Sequence, residues 1–218
     1  MKDIAIFGAG GFGREVACLI EQIDDPFESE IKQYHLIGFF DDGVPAGTQI
    51  SRFGKVIGGM GELNQWETPL SVVIAIGDTY SLHAVQQKIT NKNIDFPNLI
   101  HPSFGTADID SFHIGKGNII QGGCYASCDT RIGDFNILNG SVVMGHDAII
   151  GNFNVIMPAV RISGEVKIGN GNFFGVGSIV LQQLKIGNDV RLGAGSVLMT
   201  KPKNGNLYIG VPAKKTEF

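Results

Sequence analysis

From Ile114 to Leu198 an apolar residue returns at every sixth position: Ile114, Ile120, Ala126, Ile132, Leu138, Met144, Ile150, Ile156, Ile162, Ile168, Phe174, Val180, Ile186, Leu192 and Leu198. With 43% of residues hydrophobic, fifteen hits in one of six registers has odds of roughly 2 in 100,000. The series stops sharply, with Asp108 before it and Asn204 after it. A period of six is not a helix face, but it divides by the strand period of two, so it predicts short strands separated by tight corners. Every third hexad opens with Ile-Gly, at Gly115, Gly133, Gly151, Gly169 and Gly187, which makes eighteen residues one structural repeat. Asn118, Asn136, Asn154 and Asn172 hold the fifth place of those hexads until Val190 replaces them. Three hexads form a three-sided coil with a large aliphatic side chain inside each face. Gly stands at many corners, where a positive φ or a close backbone approach costs little. Coils stacked about 4.8 Å apart lend their unpaired backbone groups to one another. About five coils fit between Ile114 and Leu198, giving a prism roughly 20 to 25 Å long.

The first hundred residues have a different texture. Asp3 to Phe7 is a short apolar run, Gly8-Ala9-Gly10-Gly11-Phe12-Gly13 a glycine-rich turn, and Val16, Leu19, Ile20 and Ile23 carry helical spacing from Arg14 onward. This strand, loop and helix match G-x-G-x-x-G. The physics of that motif is a tight turn whose backbone N–H groups and helix N-terminus face an anionic phosphate. A second strand, His35 to Phe40, ends in Asp41-Asp42, whose carboxylates suit ribose or base hydrogen bonds. Further elements are expected at Lys55 to Ile57 (strand), Gly61 to Trp66 (helix), Ser71 to Ile76 ending in Gly77-Asp78 (strand), Ser81 to Thr90 (helix) and Phe96 to His101 (extended). Asp24 to Lys32 reads as a solvated loop. The chain is therefore expected to divide into a Rossmann-like α/β domain over residues 1–100 and an all-β solenoid over residues 101–218, with His101-Pro102 at the junction. About 100 residues make one truncated parallel unit, sized for a mononucleotide rather than for NAD. On the residues alone, the glycines serve either phosphate binding or helix–strand packing.

Composition narrows the function classes. A formal charge of −4 with scattered Lys and Arg leaves no basic footprint for nucleic acid. No apolar run approaches 18 residues and the chain opens on Lys2-Asp3, so neither a membrane span nor a signal peptide is expected, and a cytoplasmic protein is. Cys18, Cys124 and Cys128 cannot all pair within one chain, which suits a reducing compartment. Cys-x-x-x-Cys without a second pair is poor zinc spacing, and no metal is expected.

Of the five histidines, His35, His83, His101 and His113 have plain structural settings. His146 stands at the third place of Met144-Gly145-His146-Asp147-Ala148-Ile149, at a corner where side chains leave the prism. A solvent-facing imidazole beside a carboxylate works as a general base near neutral pH, while an ordinary exposed corner would look the same in sequence. No G-x-S-x-G, H-E-x-x-H or activated Cys offers a nucleophile, so direct transfer assisted by a base is the simplest chemistry available.

The Ile-Gly-x-x-Asn hexads in triplets resemble the hexapeptide-repeat acyltransferases. Six further segments appear in the order seen in sugar O/N-acyltransferases, which include sialic-acid O-acetyltransferases and bacillosamine-type nucleotide-amino-sugar N-acetyltransferases. They are Gly8-Ala9-Gly10-Gly11-Phe12-Gly13 with Arg14-Glu15, Phe39-Phe40-Asp41-Asp42, Ala75-Ile76-Gly77-Asp78, His101-Pro102-Ser103, Gly145-His146-Asp147 and Gly210-Val211-Pro212-Ala213-Lys214. The resemblance runs from Asp3 to Lys215. It implies a left-handed parallel β-helix, an exception to the right-handed crossover rule. It also implies a homotrimer with active sites between subunits, acetyl-CoA as co-substrate, and a nucleotide-linked amino sugar as acceptor, in bacterial surface-glycan synthesis.

His146 then matches the general base and Asp147 its companion. Gly8, Gly10, Gly11, Gly13, Asp41, Asp42, Gly77 and Asp78 fall to the nucleotide sugar. Gly164, one coil beyond His146, is expected to hold the thioester end, with Gly175, Val176 and Gly177 continuing that face, Ala194 and Gly195 a coil further, and Lys201 and Lys214 on the CoA phosphates. One departure stands out: some N-acetyltransferases carry a second histidine where this chain has Asn154-Val155, so Asn154 or a backbone N–H must hold the thioester carbonyl, or the acceptor differs. An O-acetyltransferase acting on a sugar or serine hydroxyl, and a non-enzymatic trimeric nucleotide-binding scaffold, are the alternatives.

Overall fold

The N-terminal strands β1 (Lys2–Phe7), β2 (Tyr34–Phe40), β3 (Val56–Gly58), β4 (Leu70–Ile74) and β5 (Ile94–Asp95) form one parallel sheet in the order β3-β2-β1-β4-β5. Helices α1 (Gly11–Ile23), α2 (Met60–Asn64) and α3 (Thr79–Lys88) make the crossovers. Parallel strands covered on both faces read as continuous apolar runs, and Ile4, Ala5, Ile6 and Phe7 are all buried. The chain winds outward from β1 through β2 to β3, then returns to β4 on the other side of β1. The topological switch point therefore lies between β1 and β4, and the loops leaving those two strands border it. α1 starts at Gly11, three residues before the apolar spacing begins, because the glycine loop itself makes the first turn.

This computed structural model describes residues 1–24 and 32–216. Most of the loop expected between Asp24 and Lys32 lies outside them. Asp24 ends α1, buried, with its carboxylate accepting the N–H groups of Gln33 and Tyr34 at 2.8 and 3.1 Å. The chain divides into two units, Met1–Pro102 and Ser103–Phe218.

The second unit is a left-handed parallel β-helix of two-residue strands on three faces. Face 1 holds Tyr125–Ala126, Val143–Met144, Arg161–Ile162, Ile179–Val180 and Val197–Leu198; face 2 runs from His113–Ile114 to Lys185–Ile186; face 3 contains Ile119–Ile120 to Arg191–Leu192. Each strand pairs with the one eighteen residues on, in register. The ladder also extends beyond the hexad series. Gly105–Thr106 adds a rung before Tyr125–Ala126, twenty residues ahead of it. The C-terminal tail is a hairpin, Leu207–Gly210 antiparallel to Ala213–Thr216, that continues face 3.

The corners sort the glycines by purpose. Positive φ recurs at the fourth place of fourteen successive hexads, from Gly117 to Gly195, and nine of those residues are not glycine. The Ile-Gly glycines occupy the second place instead, where coils touch: a Cβ on Gly151 would lie 2.6 Å from the Gly169 carbonyl oxygen. Close approach, not positive φ, is what the Ile-Gly signature answers. Behind these glycines, Asn118, Asn136, Asn154 and Asn172 are fully buried in a ladder. Each Oδ1 accepts the backbone N–H of the residue one coil on, at 2.8 to 3.0 Å, and each Nδ2 donates to the carbonyl of Gly133, Gly151, Gly169 or Gly187. Val190 can end the series because it has only to supply the last N–H.

Candidate active site

His146 and Asp147 occupy the corner between faces 1 and 2, between the strands Val143–Met144 and Ile149–Ile150. Asp147 is one of the positive-φ corner residues, with φ 57°, a conformation Asp adopts more readily than most side chains. The turn carries both side chains outward, 56% and 57% exposed, with His146 Nδ1 2.8 Å from Asp147 Oδ2. An ionised carboxylate only accepts, so Nδ1 is the donor and Nε2 presents its lone pair to solvent. Stacking fixes the corner: the Asp147 N–H donates to the Cys128 carbonyl at 3.1 Å, and the Glu165 N–H to the His146 carbonyl at 2.8 Å.

Gly164 stands at the equivalent place one coil on. A Cβ there would sit 2.5 Å from His146 Nε2, so any larger residue would push the imidazole out of this position. The structure therefore brings Gly164 to the dyad. It does not bring Gly175, Val176, Gly177, Ala194 and Gly195 along the same edge, as expected from the sequence; these lie on the corner between faces 3 and 1, across face 1 from the dyad. Val176 is 48% exposed there, and nothing lies within 4 Å of a Cβ placed on Gly177 or Gly195. Lys201 follows the last face 1 strand and Lys214 sits in the hairpin opposite Ile209; both are exposed. Asn154 is removed as a holder of the thioester, because its side chain is spent inside the prism.

In the first unit, the glycine loop leaves β1 with Gly8 at φ 114°, and a Cβ on Gly13 would lie 2.0 Å from the Gly8 carbonyl oxygen. Gly13 therefore serves helix–strand packing. Gly10 differs: it caps α1 without a side-chain hydrogen bond, in open space. The acidic candidates have structural duties that the sequence does not disclose. Asp41 Oδ2 accepts the Ala9 N–H at 2.8 Å while Oδ1 accepts Gly43 and Val44, which ties the glycine loop to the end of β2. Asp42 accepts the Met60 N–H at 2.7 Å, and Asp78 caps α3 through the Ser81 N–H at 2.8 Å. Gly77 is exposed beside it, with nothing within 4 Å of an added Cβ.

His35 also has an acid partner, Asp3 Oδ1 at 2.9 Å, so a His–Asp contact is not itself diagnostic. That pair lies at the N-terminal ends of β1 and β2, opposite the glycine loop. Burial pushes the Cys124 thiol up and keeps it from serving as a nucleophile. Among the described residues, no group of three or more His, Cys, Asp or Glu side chains could hold a metal, and no helix is long and apolar enough to cross a membrane.

Residues 3–89 match the family model of the PglD N-terminal domain. Comparison with curated proteins gives no match. Along its whole length the chain is similar to the acetyltransferase domain of PglB from Neisseria gonorrhoeae FA1090, with 26% identity and a TM-score of 0.87 over 99% of this chain and 100% of that one. The same domain is solved in complex with acetyl coenzyme A, at 26% identity and TM-score 0.86 over 99% of each chain. PerB from Caulobacter crescentus, solved with CoA and GDP-perosamine, gives 27% identity and TM-score 0.82 over 100% of this chain and 98% of that one. Repeat and fold are similar to those of the hexapeptide-repeat acyltransferases, and the structures matched along the whole chain include acetyltransferases. Both likenesses fall on one chain, the PglD N-terminal domain model over its first part and the PglB and PerB structures over its whole length.

Proposed function

We propose that this protein transfers the acetyl group of acetyl-CoA to the amine of a nucleotide-linked sugar, in the cytoplasm and in the service of bacterial surface-glycan synthesis. The observation that carries the reading is the His146–Asp147 pair above Gly164, in a chain similar throughout to enzymes solved with acetyl coenzyme A, and with CoA and GDP-perosamine. His146 Nε2 takes a proton from the amine as its nitrogen attacks the thioester carbonyl. The new C–N bond forms, the C–S bond breaks, and the sulfur leaves with a proton as the CoA thiol. Asp147 holds the imidazole in the tautomer that leaves Nε2 basic. With Asn154 enclosed in the prism, a backbone donor must meet the oxyanion, and the Gly164 N–H beside the imidazole is the candidate.

The acceptor's nucleotide is assigned to the end of the parallel sheet where Gly8, Gly10, Gly11 and Gly77 leave the strands, with the α1 N-terminus toward its phosphates. The reading includes a homotrimer. Gly164 and the dyad lie on one edge of face 1, and Val176 and Ala194 on the other, so a copy packed against face 1 would set its second ridge beside the first. The outward residues of face 1 support this, since Tyr125, Val143, Ile179 and Val197 outnumber the one charged residue among them, Arg161. The testing experiment follows free thiol release from acetyl-CoA with a panel of UDP-, GDP- and dTDP-linked amino sugars. Amine-dependent release with an N-acetyl product is expected. Release with the matching hydroxyl sugars, or no release across the panel, would overturn the reading.

A further inference from the structure

Face 2 carries an open groove of about 590 Å³ that runs along the prism from Asp129 and Arg131, past Asp147 and Glu165, to Lys185. Lys167 and Lys185 line it from adjacent rungs, paired directly in register. Their backbones are thus about 4.8 Å apart, and like charges directly opposite in a ladder destabilise it. Asp129, Asp147 and Glu165 also line the groove and keep their charge, but Asp147 is turned to His146 at 2.8 Å and Glu165 to Gln183 at 3.1 Å. Among the described residues neither lysine forms an ion pair. Arg131 adds a third cation at the other end of the groove. The outward residues of face 1 are mostly apolar, whereas face 2 presents Arg131, Lys167 and Lys185. An apolar contact with another copy therefore suits face 1 and leaves this groove open.

Two adjacent ammonium groups without carboxylate partners complement a compact, multiply charged anion. We propose that Lys167 and Lys185 form a diphosphate subsite for a ligand whose reacting end lies at His146. The anion site stands on the groove alone, while the identity of its ligand rests on the acetyltransferase reading. Under that reading both co-substrates carry a diphosphate, CoA between its adenosine and pantetheine portions and the nucleotide sugar between nucleoside and sugar.

The test titrates the intact protein with inorganic pyrophosphate, CoA, UDP, GDP and dTDP, in wild type, K167Q/K185Q and K167R/K185R. Pyrophosphate is expected to bind wild type and compete with either CoA or one nucleoside diphosphate. K167Q/K185Q should weaken pyrophosphate and that competitor at least tenfold and flatten the salt dependence of binding, with K167R/K185R within about threefold of wild type. Loss confined to CoA assigns the subsite to the acyl donor; loss confined to a nucleoside diphosphate assigns it to the acceptor. The Gln variant relieves repulsion, so its unliganded melting temperature should equal or exceed that of wild type; if it fails to fold, K185Q alone serves. Absence of pyrophosphate binding to wild type, or binding of all probes within twofold in a folded Gln variant, would overturn the proposal. No titration requires turnover, so failure of the acetyltransferase reading would leave this result separate.

Discussion

The imidazole of His146 lies directly against Gly164, where an added Cβ would come within 2.5 Å of Nε2. The two residues are one coil apart, so the repeat that builds the prism also sets the clearance of the proposed base. Gly164→Ala should push the ring away from its position while leaving the buried stack below it intact. A displacement near 1 Å at a reacting group costs on the order of 100-fold in rate. The expected result is a fall of that size in kcat, with a melting temperature close to wild type. Unchanged kcat would mean that the imidazole is not held where the base must act.

Asp147 has two duties that one substitution can separate. Asn accepts the left-handed conformation at φ 57° nearly as well as Asp, so Asp147→Asn should fold normally. It loses the acceptor-only carboxylate, and with it the preference for the tautomer that frees Nε2. A drop in kcat of about 100-fold or more is expected, with little change in either KM. Asp147→Ala should show the same loss together with about 1 kcal/mol of destabilisation from the strained corner. Equal kcat for wild type and the Asn variant would remove Asp147 from the mechanism.

The coil architecture was legible because burial inside a three-sided prism forces an apolar residue at every sixth place. The positive-φ corners were not, since nine of the fourteen carry side chains such as Phe135 and Phe153. Stacking offsets the conformational cost there: those two rings pack 5.3 Å apart and 2° from parallel. The position of Val176 was recoverable, because it lies thirty residues beyond His146, which is not a multiple of eighteen and so falls on another corner. The duties of Asp41 and Asp42 were not recoverable. They depend on which backbone amides the turns bring within reach, and sequence spacing does not encode that. The lysine pair was recoverable by the same rule, since Lys167 and Lys185 stand eighteen apart and so on adjacent rungs, but the groove between them was not.

Asn154 tests the division between interior and surface. Its carboxamide accepts the Asn172 N–H at 2.9 Å and donates to Asn136 Oδ1 and to the Gly169 carbonyl, all inside the prism. Asn154→Ala strands those partners without water, at about 1 to 3 kcal/mol for each unsatisfied group. Denaturant unfolding should therefore show a loss of several kcal/mol. Below the lowered melting point, the KM for acetyl-CoA should stay within twofold of wild type, because this side chain never reaches the thioester. A selective rise in that KM without loss of stability would return Asn154 to the site.

The glycine loop offers the sharpest separation of packing from binding, because two of its glycines face opposite demands. A Cβ on Gly13 would lie 2.0 Å from the Gly8 carbonyl oxygen, and backbone cannot yield as a flexible side chain can. Gly13→Ala should therefore destabilise the first unit by about 1 to 3 kcal/mol, as overpacking does. Gly10 has nothing within 4 Å of an added Cβ and keeps φ at −79°, which alanine adopts freely. Gly10→Ala should melt at or slightly above the wild-type temperature, since a compatible Gly→Ala change lowers the entropy of the unfolded chain. Its new methyl group would stand where a phosphate approaches the α1 N-terminus, so affinity for the nucleoside diphosphate that protects wild type should fall about tenfold or more. Thermal melts of both variants with and without that nucleotide check the pair together. A Gly10→Ala protein that retains full nucleotide protection would reduce this loop to packing.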